Sequence, residues 1–417
     1  MAKSSSIRGL PPASCNSVFV AALAWLLLTH WSFLRLPYHW DELGYFVPAA
    51  HDLLTTGALV PHSTPPNVHP PLVMAYLAAS WKLFGFSPLV TRVAMLLVAA
   101  ATLAAVFLLA RRLSGYRTAL LAAALVAVSP PFVAQSMLAH LDLPATLGAL
   151  LTIYFFLDQR WGLCALAATA LVLTKETGIV VPLVLAAFTN RRRFLLLPLL
   201  ALAAWLVLLR TSTGHWFGNA EFERYNIDQA AGLARVPLVL LRRLYQLGFA
   251  NFHWIATLAL LRSRRHPQGP VFATLIAAYL LLHSVLGGAI LLRYLLPALA
   301  LFYIAAAIVL HRAAAVVLLA GLAVCNWWNP PYPFGYEDNL AVVDFVRLQQ
   351  QGAQWLAEHH PDRAITTAWP LTDALSNPLG GYVDRALRVQ PVENFQPESW
   401  QSVSPDKLDL VVLYSRA

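Results

Sequence analysis

Residues 88–112 read PLVTRVAMLLVAAATLAAVFLLARR, and the fold turns on how this stretch is solvated. From Val93 to Ala110 it carries no charge and leaves no polar face for water, so it is not a surface helix of a soluble domain. A helix crosses the hydrocarbon core of a bilayer with about 20 mostly apolar residues. Residues 88–110 meet that length, and Arg111 and Arg112 end the run as a water-facing anchor would.

The rest of the chain agrees. Of its 417 residues, 59% are hydrophobic and 12% charged, with a mean hydropathy of +0.60. A soluble domain carries about 25% charged residues, so most of this chain requires an apolar solvent. The formal charge of +9 is mostly arginine, in short clusters between apolar runs. Such clusters set topology and meet anionic lipid headgroups; they do not form a nucleic-acid surface. Cys15, Cys164 and Cys325 are scattered without metal-like spacing, and no disulfide framework is expected.

Candidate spans lie at about 17–37, 88–110, 117–135, 141–158, 162–174, 177–190, 194–210, 240–261, 270–291, 294–311 and 313–327. Lys3 and Arg8 before the first could mark a secretory signal, but the long apolar segments that follow make it an uncleaved span. The fifth and sixth, separated by Lys175 and Glu176, read as two short helices turning at a membrane surface. With the N-terminus cytoplasmic, five arginine clusters fall inside: Arg111, Arg112 and Arg117; Arg160; Arg191–Arg193; Arg262, Arg264 and Arg265; and Arg312. This predicts an all-α polytopic protein of the plasma (inner) membrane with about eleven transmembrane helices. Lys175, Arg210, Arg224, Arg235, Arg242, Arg243 and Arg293 then remain on the disfavoured outer side, where an anionic lipid headgroup would account for them.

The first outer segment, 38–87, holds two amphipathic stretches, 41–56 and 70–84, that suit interfacial helices. Residues 211–235 form an aromatic-rich outer loop. A stiff linker, Asn329-Pro-Pro-Tyr-Pro-Phe-Gly335, divides the transmembrane part, 1–328, from a small extracytoplasmic α/β domain, 329–417. In that domain a helix is expected over 338–360 and strands over 364–368, 386–389 and 408–414. Its Gly380-Gly381 pair is isolated and makes no phosphate loop.

The densest chemical constellation is His39-Trp-Asp41-Glu42-Leu-Gly-Tyr45, directly after the first span. Adjacent acids there suit a solvated helix start, where carboxylates oppose the helix dipole. They equally suit a general base in a partly dry cleft, as glycosyl transfer to a hydroxyl requires.

With five further motifs the sequence resembles a known group. These are His69-Pro-Pro-Leu72; Phe84-Gly-Phe-Ser87 with Arg92; His140-Leu-Asp142; Thr174-Lys-Glu-Thr-Gly178; and Arg293-Tyr-Leu-Leu-Pro297. In order and spacing across 18–312, the chain resembles the bacterial protein O-mannosyltransferases and aminoarabinose transferases, membrane enzymes of the C-type glycosyltransferase fold. The resemblance implies a sugar donor linked to polyprenyl phosphate, an extracytoplasmic acceptor (glycan, lipid or protein) and anomeric inversion. It implies that Asp41 is the base, that Glu42 shapes the same pocket, and that Lys175 and Arg293 face the donor phosphate. Tyr45, His69, Arg92, His140, Asp142, Glu176 and Tyr294 are further candidates.

Taken alone, Lys175 could snorkel to the interface and Arg293 could be an interface anchor. His69 could simply open a helix, and Arg92 could be an electrostatic tie. His140 and Asp142 could bind a divalent metal, although no spacing forces it; no other cofactor is implied. His253 and His283, within spans, read as packed and hydrogen-bonded. The chain lacks the β-trefoil insertion of eukaryotic protein mannosyltransferases, so acceptor identity does not transfer. A transporter or lipid flippase, or a non-catalytic scaffold, remains as an alternative. Ionisable residues gathered at one face favour an interfacial enzyme over paired, mid-membrane-broken transporter halves.

Overall fold

The computed structural model describes residues 15–229, 232, 234–263, 269–400 and 408–414, so Lys3, Arg8, Arg264 and Arg265 fall outside it. Among the described residues four helices are long and apolar enough to cross a membrane: Asn16–Phe33, Pro88–Ser114, Arg192–Thr213 and Leu292–Val309. Seven shorter apolar helices accompany them.

Helix α1 (Cys15–His30) leads into the first loop, where a wide helical turn over Glu42–Phe46 continues into α2 (Val47–Thr56), followed by α3 (Leu72–Phe84). Both helices of this loop stand where amphipathic stretches were expected. The decisive stretch forms α4 (Pro88–Ser114). Ser87 caps it by accepting from the Val90 amide (3.3 Å), and Pro88 suits a first turn that has no use for its N–H. Gly115, at φ 88°, ends it in a backbone conformation open to glycine. Buried on most sides, α4 packs against α1, α5 (Tyr116–Val128) and α7 (Asp142–Leu157).

The expected third span, 117–135, breaks at Ser129, and α6 (Pro130–Gln135) starts afresh on two prolines. Next come α8 (Trp161–Thr174), α9 (Val180–Ala186), α10 (Leu196–Thr213) and the short α11 (Ala220–Glu223). Leu196, Leu200 and Val207 of α10 are exposed, an outer surface that only an apolar solvent would satisfy.

The expected eighth span, 240–261, is likewise two helices, α12 (Arg235–Gly248) and α13 (His253–Arg262). They part where Asn251 and Phe252 adopt positive φ, and Phe252 fills the space over Gly321. Helix α14 (Gly269–Val285) stops short of the expected residue 291; α15 (Leu296–Val309) and α16 (Arg312–Val324) follow.

The C-terminal segment carries α17 (Ala341–His359), β1 (Ile365–Ala368), α18 (Leu371–Ser376), β2 (Val389–Val392), α19 (Pro397–Trp400) and β3 (Leu410–Val411). Both pairings of its small sheet are parallel, in the order β2-β1-β3, with Ile365 opposite Val389 and Leu410. This segment packs directly on the first loop. The Tyr38 amide donates to the Gly380 carbonyl (3.0 Å) and the Tyr382 hydroxyl to that of Tyr38 (3.0 Å). Trp369 meets Trp40 edge-on at 4.5 Å and leaves room at position 44 for little more than glycine.

Candidate active site

Three distant segments meet beside Asp41, and the tie that gathers them is Glu42. Glu42 is fully buried and ion-paired with Arg92 of α4. Its oxygens also accept from the amides of His39 (2.8 Å) and Ala139 (2.6 Å), and Arg92 donates to the carbonyls of Pro37 (2.8 Å) and Met137 (2.9 Å). Glu42 is expected to shape the pocket, and its side chain does so from behind: it is absent from the cavity wall, and its partners lie in the scaffold. Arg92 is likewise a tie, remote from the cavity. Together they lock residues 37–42 and 137–139 against α4, which leaves neighbouring Asp41 facing out.

Asp41 pairs with Arg293. Arg293 lies on the turn Leu292–Leu295 that opens α15, and two buried side chains brace that turn. Asp338 accepts from the Leu292 amide (3.1 Å) and Arg243 donates to the Leu291 carbonyl (2.5 Å). The Arg293 guanidinium also meets His140 Nδ1 (2.6 Å), Asp142 Oδ2 (3.4 Å) and Glu337 Oε1 (3.3 Å). Lys175, in extended conformation where α8 ends, reaches Asp142 Oδ1 at 2.5 Å. Three cations surround the Tyr294 ring, with Lys175 Nζ 4.4 Å, Arg293 Cζ 5.4 Å and Arg243 Cζ 5.8 Å from its centroid.

Asp41, His69, Asp142, Lys175, Glu176, Arg293 and Tyr294 all line one cavity of about 340 Å³. Phe46, Leu141, Phe217, Phe222, Ile227 and Leu286 complete the wall, so a charged end opens onto apolar sides. Of the other expected residues, His69 is hydrogen-bonded through Nδ1 to Glu176 Oε2 (2.8 Å), which goes beyond opening a helix. His140 sits behind Arg293, outside the wall, and Tyr45, half-buried beside Asp41, is also absent from it. His253 donates or accepts within the core, at 2.6 Å from the Tyr303 hydroxyl, and His283 joins the cavity wall.

The charges explain the protonation states. Burial and the facing Arg293 hold His140 well below the usual imidazole range, hence neutral. Burial would raise Glu176, but the paired His69 ring outweighs it and holds the carboxyl below its usual range. Burial pushes Glu337 up to about 8 despite Arg293, with Asp41 adding repulsion. Both His140 and Asp142 lie against the Arg293 guanidinium, so the pair that could have bound a divalent metal already faces a cation.

Sequence reading missed Glu337 and Asp338 as site residues, and it counted Arg243 only among the outer-side cations. An acidic pair, Glu337-Asp338, directly after an aromatic and proline-rich linker was the available signal, since it mirrors Asp41-Glu42 after the first span.

The dolichyl-phosphate-mannose-protein mannosyltransferase family model matches residues 68–216, which include Asp142 and Lys175. In three dimensions the chain matches ArnT from Cupriavidus metallidurans bound to undecaprenyl phosphate, with a TM-score of 0.64 at 16% identity over 94% of this chain and 88% of that one. The fold is that of the C-type membrane glycosyltransferases. A second C-type structure, the archaeal oligosaccharyltransferase AglB from Archaeoglobus fulgidus in complex with an inhibitory peptide and a dolichol-phosphate, matches with a TM-score of 0.53 at 13% identity. That match covers 91% of this chain and 64% of AglB. A comparison with curated protein sequences returned no match.

Two of the arginine-bearing loops, those of Arg112 and Arg160, lie at the end of α7 opposite the cavity. Asp142 starts α7 at the cavity, and Asp158, just past its other end, meets Arg160 (2.7 Å) and Arg112 (3.8 Å). Sixteen residues of helix separate the two ends by roughly 24 Å.

Proposed function

We propose that this protein is a membrane glycosyltransferase that moves a sugar from a polyprenyl-phosphate carrier to an extracytoplasmic acceptor, with inversion at the anomeric carbon. One observation carries the reading: Asp41, Lys175 and Arg293, far apart in sequence, line a single cavity with an apolar flank. ArnT bound to undecaprenyl phosphate and AglB with dolichol-phosphate share the fold and supply the donor class.

In the site, Asp142 pairs with Lys175, and Asp41 and Asp142 pair with Arg293. A donor phosphate replaces these carboxylates on the two cations. Asp41, released from Arg293, takes the proton of the acceptor hydroxyl as its oxygen attacks the anomeric carbon. The bond from that carbon to the phosphate oxygen breaks, and its electron pair leaves on the phosphate. Charge therefore grows where Lys175 and Arg293 are fixed, in a water-poor site that favours the transition state over the ground state. The polyprenyl chain runs along the apolar wall towards the bilayer. With arginine loops at the far end, the cavity faces the extracytoplasmic side and the N-terminus the cytoplasm of a plasma-membrane protein.

Ionisable groups concentrated at one end favour this reading over a transporter or flippase, which needs a site open to both sides in turn. The direct test is transfer from a lipid-linked labelled sugar by purified wild type and Asp41→Asn. Equal rates would remove Asp41 as the base, and no transfer by the wild type to glycan, lipid or peptide acceptors would remove the enzyme reading.

A further inference from the structure

Behind Arg293 lies a second cavity, of about 380 Å³, with Trp40, Tyr225, Arg242, Phe334, Tyr336 and Glu337 in its wall. The two cavities meet at an acid–base partition. Arg293 and Asp41 line the first, Glu337 lines the second, and Glu337 Oε1 lies 3.3 Å from Arg293 Nε.

Glu337 is only 4% exposed, and its second oxygen, Oε2, has no hydrogen-bond partner among the described residues. The neutral His140 ring stands 3.9 Å from it through Nδ1, beyond hydrogen-bond reach. A buried oxygen in that state is costly unless something donates to it. The wall carries four aromatic rings, Trp40, Tyr225, Phe334 and Tyr336, beside Arg242 and the aliphatic run Ala289–Leu291. Gly288 makes room for one of these rings, since a Cβ there would fall 2.2 Å from the Tyr225 ring. Arg242 holds the linker in place by donating to the Pro333 carbonyl (2.6 Å).

Ring faces beside one buried hydrogen-bonding oxygen match a compact polyol, whose C–H faces lie on electron-rich rings while its hydroxyls seek acceptors. An extended peptide would instead look for a strand edge to pair with, and no strand contributes to this wall. We propose that the second cavity is a carbohydrate acceptor subsite: a sugar ring stacks on Trp40, Phe334 and Tyr336, one hydroxyl bonds Glu337 Oε2, and a neighbouring hydroxyl reaches Asp41. The carboxyl serves in either protonation state, as acceptor or donor. The last element rests on the transfer reading above; the binding site itself does not.

The test uses the full-length protein in nanodiscs and saturation-transfer NMR. The probes are a panel of methyl hexosides and disaccharides and a peptide containing serine and threonine. Polyprenyl phosphate binding is measured in parallel, for wild type, Phe334→Ala, Glu337→Gln and Lys175→Ala. At least one saccharide binds saturably, and its affinity falls about 10-fold or more in Phe334→Ala and Glu337→Gln, while polyprenyl phosphate still binds. Lys175→Ala shows the reverse pattern. Should Glu337→Gln bind neither probe, Phe334→Ala, half-buried and outside the ion network, decides the matter. The subsite is overturned if no saccharide binds, if binding ignores the deciding substitutions, or if the peptide binds in a manner sensitive to them instead. Saccharide binding without polyprenyl phosphate binding would overturn the donor reading and uphold the subsite.

Discussion

Arg293 holds Asp41 in an ion pair across 252 residues of sequence, so the group assigned as base and one of the two cations assigned to the donor phosphate inhibit each other at rest. The pair resolves a conflict. A carboxylate and a phosphate cannot share a dry cavity without repulsion, and an anionic donor arriving at Arg293 both takes the cation and frees the base.

Asp41→Asn therefore separates chemistry from binding. Transfer is expected to fall by about 10²–10⁴-fold, the range for loss of a general base. Polyprenyl phosphate should bind as well as before, or tighter, because Arg293 loses a competing carboxylate. Single-turnover rates beside equilibrium binding would show it; a parallel loss of both would mean that Asp41 merely holds the cavity together.

Lys175→Ala acts on the other side. Charged hydrogen bonds contribute about 1.5–3 kcal/mol, so donor affinity should weaken by roughly 10- to 100-fold. Asp142 keeps Arg293 as a partner, and the fold should survive. Titration with polyprenyl phosphate measures it, and an unchanged affinity would dismiss Lys175 from the phosphate site.

Glu42 and Arg92 should behave as scaffold. Removing one member of a buried pair costs about 3–5 kcal/mol, because the other charge is left without compensation. Glu42→Gln and Arg92→Met should lower the thermal midpoint and the yield of folded protein, with donor KM nearly unchanged in what folds. A large KM effect at normal stability would restore Glu42 to the site.

The pH dependence of stability follows from Glu337. In the folded protein it holds its proton up to about pH 8, against 4.5 for an unperturbed carboxyl. The folded state binds the extra proton between those values, so this stabilisation, complete below about pH 4.5, is lost as pH rises through about 8. Asp338, raised by burial to about 6, acts in the same direction but is spent by neutral pH. The thermal midpoint should drop from about pH 6 to about pH 8 in the wild type, level off above that, and drop far less in Glu337→Gln; equal slopes would show that Glu337 is ionised throughout.

The candidate residues of the first cavity were legible because each stands in a short motif at the head or tail of an apolar run, where the chain leaves the hydrocarbon. What each one does was not. Asp41 and Glu42 are identical in kind and adjacent, yet one faces the cavity and the other is sealed against Arg92. That division depends on where the backbone turns at Trp40, which adopts positive φ. Broken spans escaped because hydropathy averages over Ser129, where Pro130 and Pro131 mark the break, and over Phe249–Phe252, where the space over Gly321 accommodates Phe252.

Hydropathy and charge placement alone determined that this chain lives in a bilayer, and on which helix ends its ionisable residues stand, because burying apolar length is a local property of sequence. Only the tertiary structure decided which of those ends converge, that Glu337 joins them from beyond the last apolar helix, and that Arg293 lies among three acidic side chains. Electrostatic partners are selected by distance in space, and spacing along the chain carries no record of it.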